Sequence, residues 1–216
     1  MESIPKISLD TDSLLVHFNL PRLRGGDMIE KWIGVEGQLN EAENIRIEKL
    51  YRKALQSADG WNEEELKMKF ISLIFDLADI EDEKIVSFYE RPMNAIVKEV
   101  KISVICDCLL ASPAGISTPR TPYFFLQERN AARFKKQKGD GNDPEAQMLA
   151  AMIVAQFKNN DQKPVYGAWL VGSIWNFTLL IEEKYFVSKK FDASDLEDLK
   201  QIIYILRKLK DLILER

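Results

Sequence analysis

A chain of 216 residues, 46% of them hydrophobic, is long enough to bury one well-packed core and too short for a second independent one. With 30 basic against 34 acidic side chains, a net charge of -4 and a pI near 5.3, the molecule as a whole is no electrostatic binder of DNA, so any nucleic-acid contact has to be local. One histidine and two cysteines exclude a zinc cluster, no stretch reaches the roughly eighteen apolar residues of a membrane span, and no basic stretch leads into an apolar core at the start, so a cytoplasmic protein without a membrane partner is expected.

Residues 1–38 read as an irregular arm, punctuated by Pro5, Pro21, Gly25, Gly26, Gly34 and Gly37 between short apolar pieces such as Leu14-Leu15-Val16-His17-Phe18. A single domain is expected over 39–216. From Asn40 to Ser57 the spacing of Ile45, Ile47, Leu50, Tyr51 and Leu55 predicts a helix, ended by Asp59-Gly60. Asn62 is a fitting N-cap for the next helix, with Glu65 at capping-box spacing and Leu66, Phe70, Ile71, Leu73, Ile74 and Leu77 on an apolar face. Strand patterns run from Ile85 to Tyr89, Ala95 to Val100, Ile102 to Ala111 and Tyr123 to Glu128, the last two parted by a loop around Pro113-Ala114-Gly115.

Asp143 before Pro144 is an N-cap with proline at the first helical position, which predicts a helix to Phe157. Val165 to Val171, the turn Gly172-Ser173 and Ile174 to Ile181 read as a hairpin that Tyr185 to Ser188 can extend. The aromatics there, Tyr166, Trp169, Trp175, Phe177, Tyr185 and Phe186, are expected as core and cross-strand packing. A last helix opens at Ser194 with Glu197 as its capping-box partner and carries Leu196, Leu199, Ile202, Ile203, Leu206, Leu209 and Ile213. Cys106 and Cys108, two apart on one strand, are expected on a common face as free buried thiols.

Two acids lie where solitary charges are costly. Asp107 sits inside the apolar run Ile102 to Leu110, and Glu128 ends the run that starts at Tyr123. Each run is apolar on both alternating faces, the pattern of a strand covered on both sides, and an ionised acid there needs compensation. A divalent cation shared by two carboxylates on adjacent strands provides it, and such oxygen ligands suit Mg²⁺. A structural acid paired with Arg91 or Arg129 is the plain alternative for Asp107.

The order Asp107, then Gln127-Glu128-Arg129-Asn130, then the helix opening Asp143-Pro144-Glu145-Ala146-Gln147-Met148, then the strands around Gly167 and Trp175, resembles the PD-(D/E)xK nuclease-like superfamily. The likeness runs from about Trp61 to the C-terminus. It implies an α/β fold of restriction-endonuclease-like type, a central mixed sheet flanked by helices, here with an N-terminal helical extension. It implies Asp107 and Glu128 as ligands of Mg²⁺ or Mn²⁺, Glu63 on the first core helix as an assisting acid, and Gln147 as the residue that orients a phosphate or a metal-bound water. In the pattern a lysine follows the glutamate by two and stabilises developing charge, and this chain has Asn130 there.

An amide carries no positive charge, so the expected outcome is a phosphodiesterase acting on DNA or a weakened or inactive descendant of one. The other expectation is a non-catalytic module that keeps the fold to bind nucleic acid or a protein. Arg129, Arg133, Lys135, Lys136 and Lys138 follow the motif as a candidate phosphate-contacting patch, or else as an ordinary solvated face. Glu63 likewise has an ordinary reading, since acids in a first helical turn favour the helix dipole. DNA is the first expected partner, and a homo-oligomer is left open.

Overall fold

The computed structural model of the chain describes residues 5–57, 60–115, 118–129 and 143–215. In chain order the elements are α1 (Thr11–Phe18), β1 (Arg22–Arg24), α2 (Asp27–Ile33) and α3 (Glu41–Ser57). Helix α4 follows as Glu63–Leu66, a π turn at Lys67–Ile71 and Ser72–Ala78. Then come β2 (Val86–Val97), β3 (Val100–Pro113), β4 (Pro119–Arg129), α5 (Pro144–Asn159), β5 (Val165–Val171), β6 (Ile174–Ile181), β7 (Lys184–Asp192) and α6 (Leu196–Leu214).

The strands form one seven-stranded sheet in the order β1-β7-β6-β5-β4-β3-β2. It is mixed: β1 with β7 and β4 with β5 are parallel, the remaining pairs antiparallel. Helices α2, α3, α4 and α6 cover one face, where Trp32, Phe70, Ile74, Phe124, Phe177 and Leu206 are buried together. The other face is covered by α1 and α5, with Leu14, Phe125, Met148, Leu149, Met152 and Tyr185 in a second core. This is an α/β class fold, and no helix among the described residues is long and apolar enough to cross a membrane.

Local signals explain most boundaries. Asn62 caps α4 by accepting from the Glu65 amide while Glu65 reaches back to the Asn62 amide, the reciprocal arrangement its spacing predicts. Asp143 caps α5 with Pro144 at the first position. The last helix is capped one residue later than expected, by Asp195 rather than Ser194, because the Asp195 carboxylate accepts from the Glu197 and Asp198 amides. Residues 86–89 and 95–97 of the two segments expected as separate strands, 85–89 and 95–100, belong to one strand, β2; the second segment then runs through the reversal at Lys98 and Glu99, both left-handed with φ of 45° and 69°, into Val100, the first residue of β3. Pro92 does not break β2 because β2 is the sheet's outer strand, where a missing amide donor leaves no ladder bond unmade.

The expectation of an irregular arm at 1–38 is corrected. Leu14, Ile29 and Trp32 are buried, and α1, β1 and α2 all pack on the sheet. The anchor is polar: the Arg22 guanidinium pairs with both oxygens of Glu145 at 2.8 and 3.2 Å, and the Tyr185 hydroxyl donates to Glu145 at 3.2 Å. Thr11 Oγ1 donates to the α5 cap Asp143 at 2.7 Å. Proline and glycine marked the bends correctly, but the partners that order the segment lie more than a hundred residues away in the chain.

Gly167 lies beneath α5, where an added Cβ would meet Met148 Sδ at 2.4 Å and Met152 Sδ and Thr178 Oγ1 at 2.9 Å. Gly167→Ala is therefore expected to cost about 1–3 kcal/mol in urea denaturation, the range for overpacking a core. Burial, reinforced by the Glu145 carboxylate, holds the Tyr185 hydroxyl protonated well above its ordinary range. The unfolded phenol ionises at about pH 10 while the folded one resists. Stability should thus be intact below that pH and fall as pH rises beyond it. Tyr185→Phe should flatten this alkaline decline in denaturation curves, with a loss of about 1 kcal/mol at neutral pH for the missing hydrogen bond.

Candidate functional site

Strands β3 and β4 pair from Pro113 and Pro119 as far as Cys108 and Leu126, and there they part. Beyond that point β3 stays with β2, while β4 stays with β5 until Arg129 meets Val171. Separating strands inside a protein strand their backbone groups, which need new partners. The Gln127 side chain supplies them. Its Oε1 accepts from the Asp107 amide at 2.7 Å, and its Nε2 donates to the Ile105 carbonyl at 3.3 Å and to Gln147 Oε1 at 3.0 Å. Gln127 is 1% exposed and joins β3, β4 and α5 at the mouth of the fork.

A second irregularity meets the fork from the other side. In a regular strand residues two apart share a face, yet Cys106 belongs to the α5-side core and Cys108 to the α4-side core. The partner strand changes sides at the same level, since Phe88 and Met93 both join the α5-side core. Between them Glu90 has a left-handed φ of 51°, a conformation that costs a side-chain-bearing residue on the order of 1 kcal/mol. The two cysteines are free and buried as expected, but on opposite faces.

The switch turns Asp107 and Cys108 together toward α4. There Asp107 lines a cavity of about 230 Å³ with Glu64, Lys67, Ile71, Tyr89, Glu90 and Leu126 among its walls. The Lys67 ammonium donates to Glu90 at 2.8 Å and lies 3.6 Å from Glu64. Burial, with the Asp107 and Glu90 carboxylates adding to it, pushes the neighbouring Cys106 thiol well above its usual range. Cys106 is therefore a packed thiol and no nucleophile. Arg91, expected as an alternative partner for Asp107, stacks instead on Phe88 at 5.9 Å on the α5 side.

The remaining expected residues distribute as follows. Glu63 opens α4 with one carboxylate oxygen buried, and its neighbour Glu64 lines the cavity. Glu128 lies two residues past the last β3–β4 pair, and its backbone is in register with Leu170 of the α4-side core. Arg129 ends β4. The side chains of Glu128 and Arg129, and all of Asn130, Arg133, Lys135, Lys136 and Lys138, lie outside the described residues. Gln147 is on α5 and is tied into the fork through Gln127. Among the described residues no three His, Cys, Asp or Glu side chains gather as a metal site.

Gln127 was not expected. Sequence reasoning weighed the charge of Glu128, yet an amide inside the same apolar run also has to be satisfied once buried, and that signal was present. Replacing it by the nearly isosteric Gln127→Leu leaves the Asp107 N–H and Ile105 carbonyl without partners. A loss of about 1–3 kcal/mol is expected in urea denaturation; an unchanged midpoint would show that water replaces the amide at no cost.

No family model matches this chain, and a search of curated proteins returns no match.

Proposed function

We propose that the chain is a nuclease-like protein of the PD-(D/E)xK type with restriction-endonuclease-like architecture, a Mg²⁺-dependent phosphodiesterase acting on DNA or a descendant in which that chemistry is weakened. The observation that carries this reading is the fork. A carboxylate on β3, a glutamate on β4 and a glutamine on α5 flank the same parting of two strands, in the chain order the motif requires. Asp107 faces a cavity, not a sealed core, so its position on an apolar strand has a use besides packing.

The donors suit the ion by type, since carboxylate oxygens favour Mg²⁺ or Mn²⁺. In this reading Asp107 and Glu128 hold it. A bound ion would supply charge neutralisation on the phosphoryl oxygens and a more acidic water. Ile71 and Leu126 make part of the cavity wall apolar, which strengthens every electrostatic interaction within it. Lys67 brings a positive charge to the same cavity, the kind of charge that Asn130 lacks, although Glu90 partly neutralises it. Arg129, Arg133, Lys135, Lys136 and Lys138 would contact phosphates outside the cavity, giving affinity that falls with salt. Asn130 also favours a second reading, a module that retains the fold and binds without cleaving.

Plasmid cleavage in Mg²⁺ or Mn²⁺ separates these readings. The native protein should nick slowly, Asn130→Lys should cleave faster, and Asp107→Asn should reduce both to background. Loss of the native activity in Lys67→Ala would identify the cation in use. Absence of cleavage by the native protein and by Asn130→Lys, together with no Mn²⁺ binding in calorimetry, would leave only the binding module.

A further inference from the structure

Helix α3 carries its charges unevenly. Residues three and four apart share one side of a helix, so Arg46, Lys49 and Lys53 form a single cationic stripe about 10 Å long. Two acids of α3 are engaged elsewhere: Glu43 receives the Arg207 guanidinium of α6 at 2.6 Å, and Glu48 lies 3.5 Å from Arg52. Arg46 reaches the exposed Asp76 of α4, whereas Lys49 and Lys53 are exposed and meet no acid among the described residues. The stripe forms one wall of a groove of about 310 Å³, completed by Leu50 of α3 and by Leu73 and Leu77 of α4. Leu50 and Leu77 are buried, but Leu73 is 38% exposed, an apolar side chain open to water beside cations that lack a counter-charge. The Asp107 cavity is lined by other residues of α4, Met68, Ile71 and Ser72 among them, so the groove is a separate feature.

We propose that this groove is a docking surface for an acidic amphipathic helix of a partner protein. A phosphate backbone would use the cations and gain nothing from three leucines, since nucleic-acid interfaces are polar and strongly positive. A purely apolar partner would cover the leucines and strip water from the cations without neutralising them, which is costly. A helix with carboxylates along one edge and apolar side chains along the next satisfies both walls, and the stripe is as long as two of its turns. Two copies of this chain joined groove to groove would set the cations against each other, so a symmetric dimer does not fit. The local charge steers an acidic partner here although the chain as a whole carries -4. The inference does not rest on the function proposed above.

A fluorescein-labelled synthetic peptide about four turns long, with leucines three and four residues apart and glutamates along the adjoining edge, tests this by fluorescence polarisation. The native protein should bind it roughly tenfold or more tightly than the same residues shuffled so that the leucines ring the helix, and affinity should fall as salt is raised. Lys49→Glu combined with Lys53→Glu should lose this peptide and bind instead a counterpart in which lysine replaces each glutamate. The melting temperature of that double variant should stay near native, because both lysines are exposed. Leu73→Ser should weaken binding while leaving its salt dependence in place. Equal binding of ordered and shuffled peptides, or no binding by the native protein, would overturn the proposal. So would a double variant that keeps the peptide and loses a DNA duplex. Self-association of the native protein that the same two substitutions abolish would overturn the assignment of the occupant to another protein.

Discussion

Where two hydrogen-bonded strands separate within a protein, the amides and carbonyls that lose each other have to be satisfied by something other than the ladder, because a buried unmade hydrogen bond costs more than a made one yields. In this chain one side-chain amide bears that constraint. Gln127 bridges the gap between β3 and β4, so the strands can diverge while the Asp107 amide and the Ile105 carbonyl keep hydrogen-bond partners. Everything at the fork inherits its geometry from that bridge: the Asp107 backbone is held at one end and Gln147 at the other.

The simultaneous change of side in β2 and β3 has a related effect. A regular β3 would put Cys106 and Cys108 on one face; the switch divides them and brings Asp107 round with Cys108 to the α4 side. The cost is a left-handed Glu90, and the gain is a carboxylate that reaches a cavity while the strand remains apolar on both sides of it. Concentrating Asp107, Glu64 and Glu90 around one cavity leaves like charges near each other, and the Lys67 ammonium offsets part of that repulsion. Strained backbone and gathered charge persist only where the surrounding structure over-determines them, as two packed cores do here.

The N-terminal segment illustrates how polar contacts complete an α/β domain. Its apolar residues are too few to form a core alone, but β1 adds to the sheet beside β7 and Arg22 reaches Glu145 at the start of α5. Leu14 and Phe18 then fill the α5-side core, and Trp32 donates to the Ile205 carbonyl of α6 on the other side. Residues before the first core helix thus pin both outer layers to the sheet.

Features governed by a few neighbouring residues were legible in the sequence. The caps at Asn62 and Asp143, the helical face through Phe70 and Ile74, and the hairpin turning at Gly172-Ser173 all rest on bonds or periodicities spanning a handful of positions. Asp107 was expected on a strand covered on both faces, but it is only half-buried: β3 alternates buried and exposed residues as far as Cys106, with Ile105 exposed, and is covered on both faces only from Cys108 to Ala111. Other features needed tertiary structure. The packing of the first residues, the opposite faces of Cys106 and Cys108, the continuity of β2 through Pro92 and the bridge made by Gln127 depend on which strand lies beside which. Local rules assign each residue a conformation and a preference for burial. The partner of a backbone group across a fork is decided only when segments distant in the chain are brought together by burying the same apolar surface.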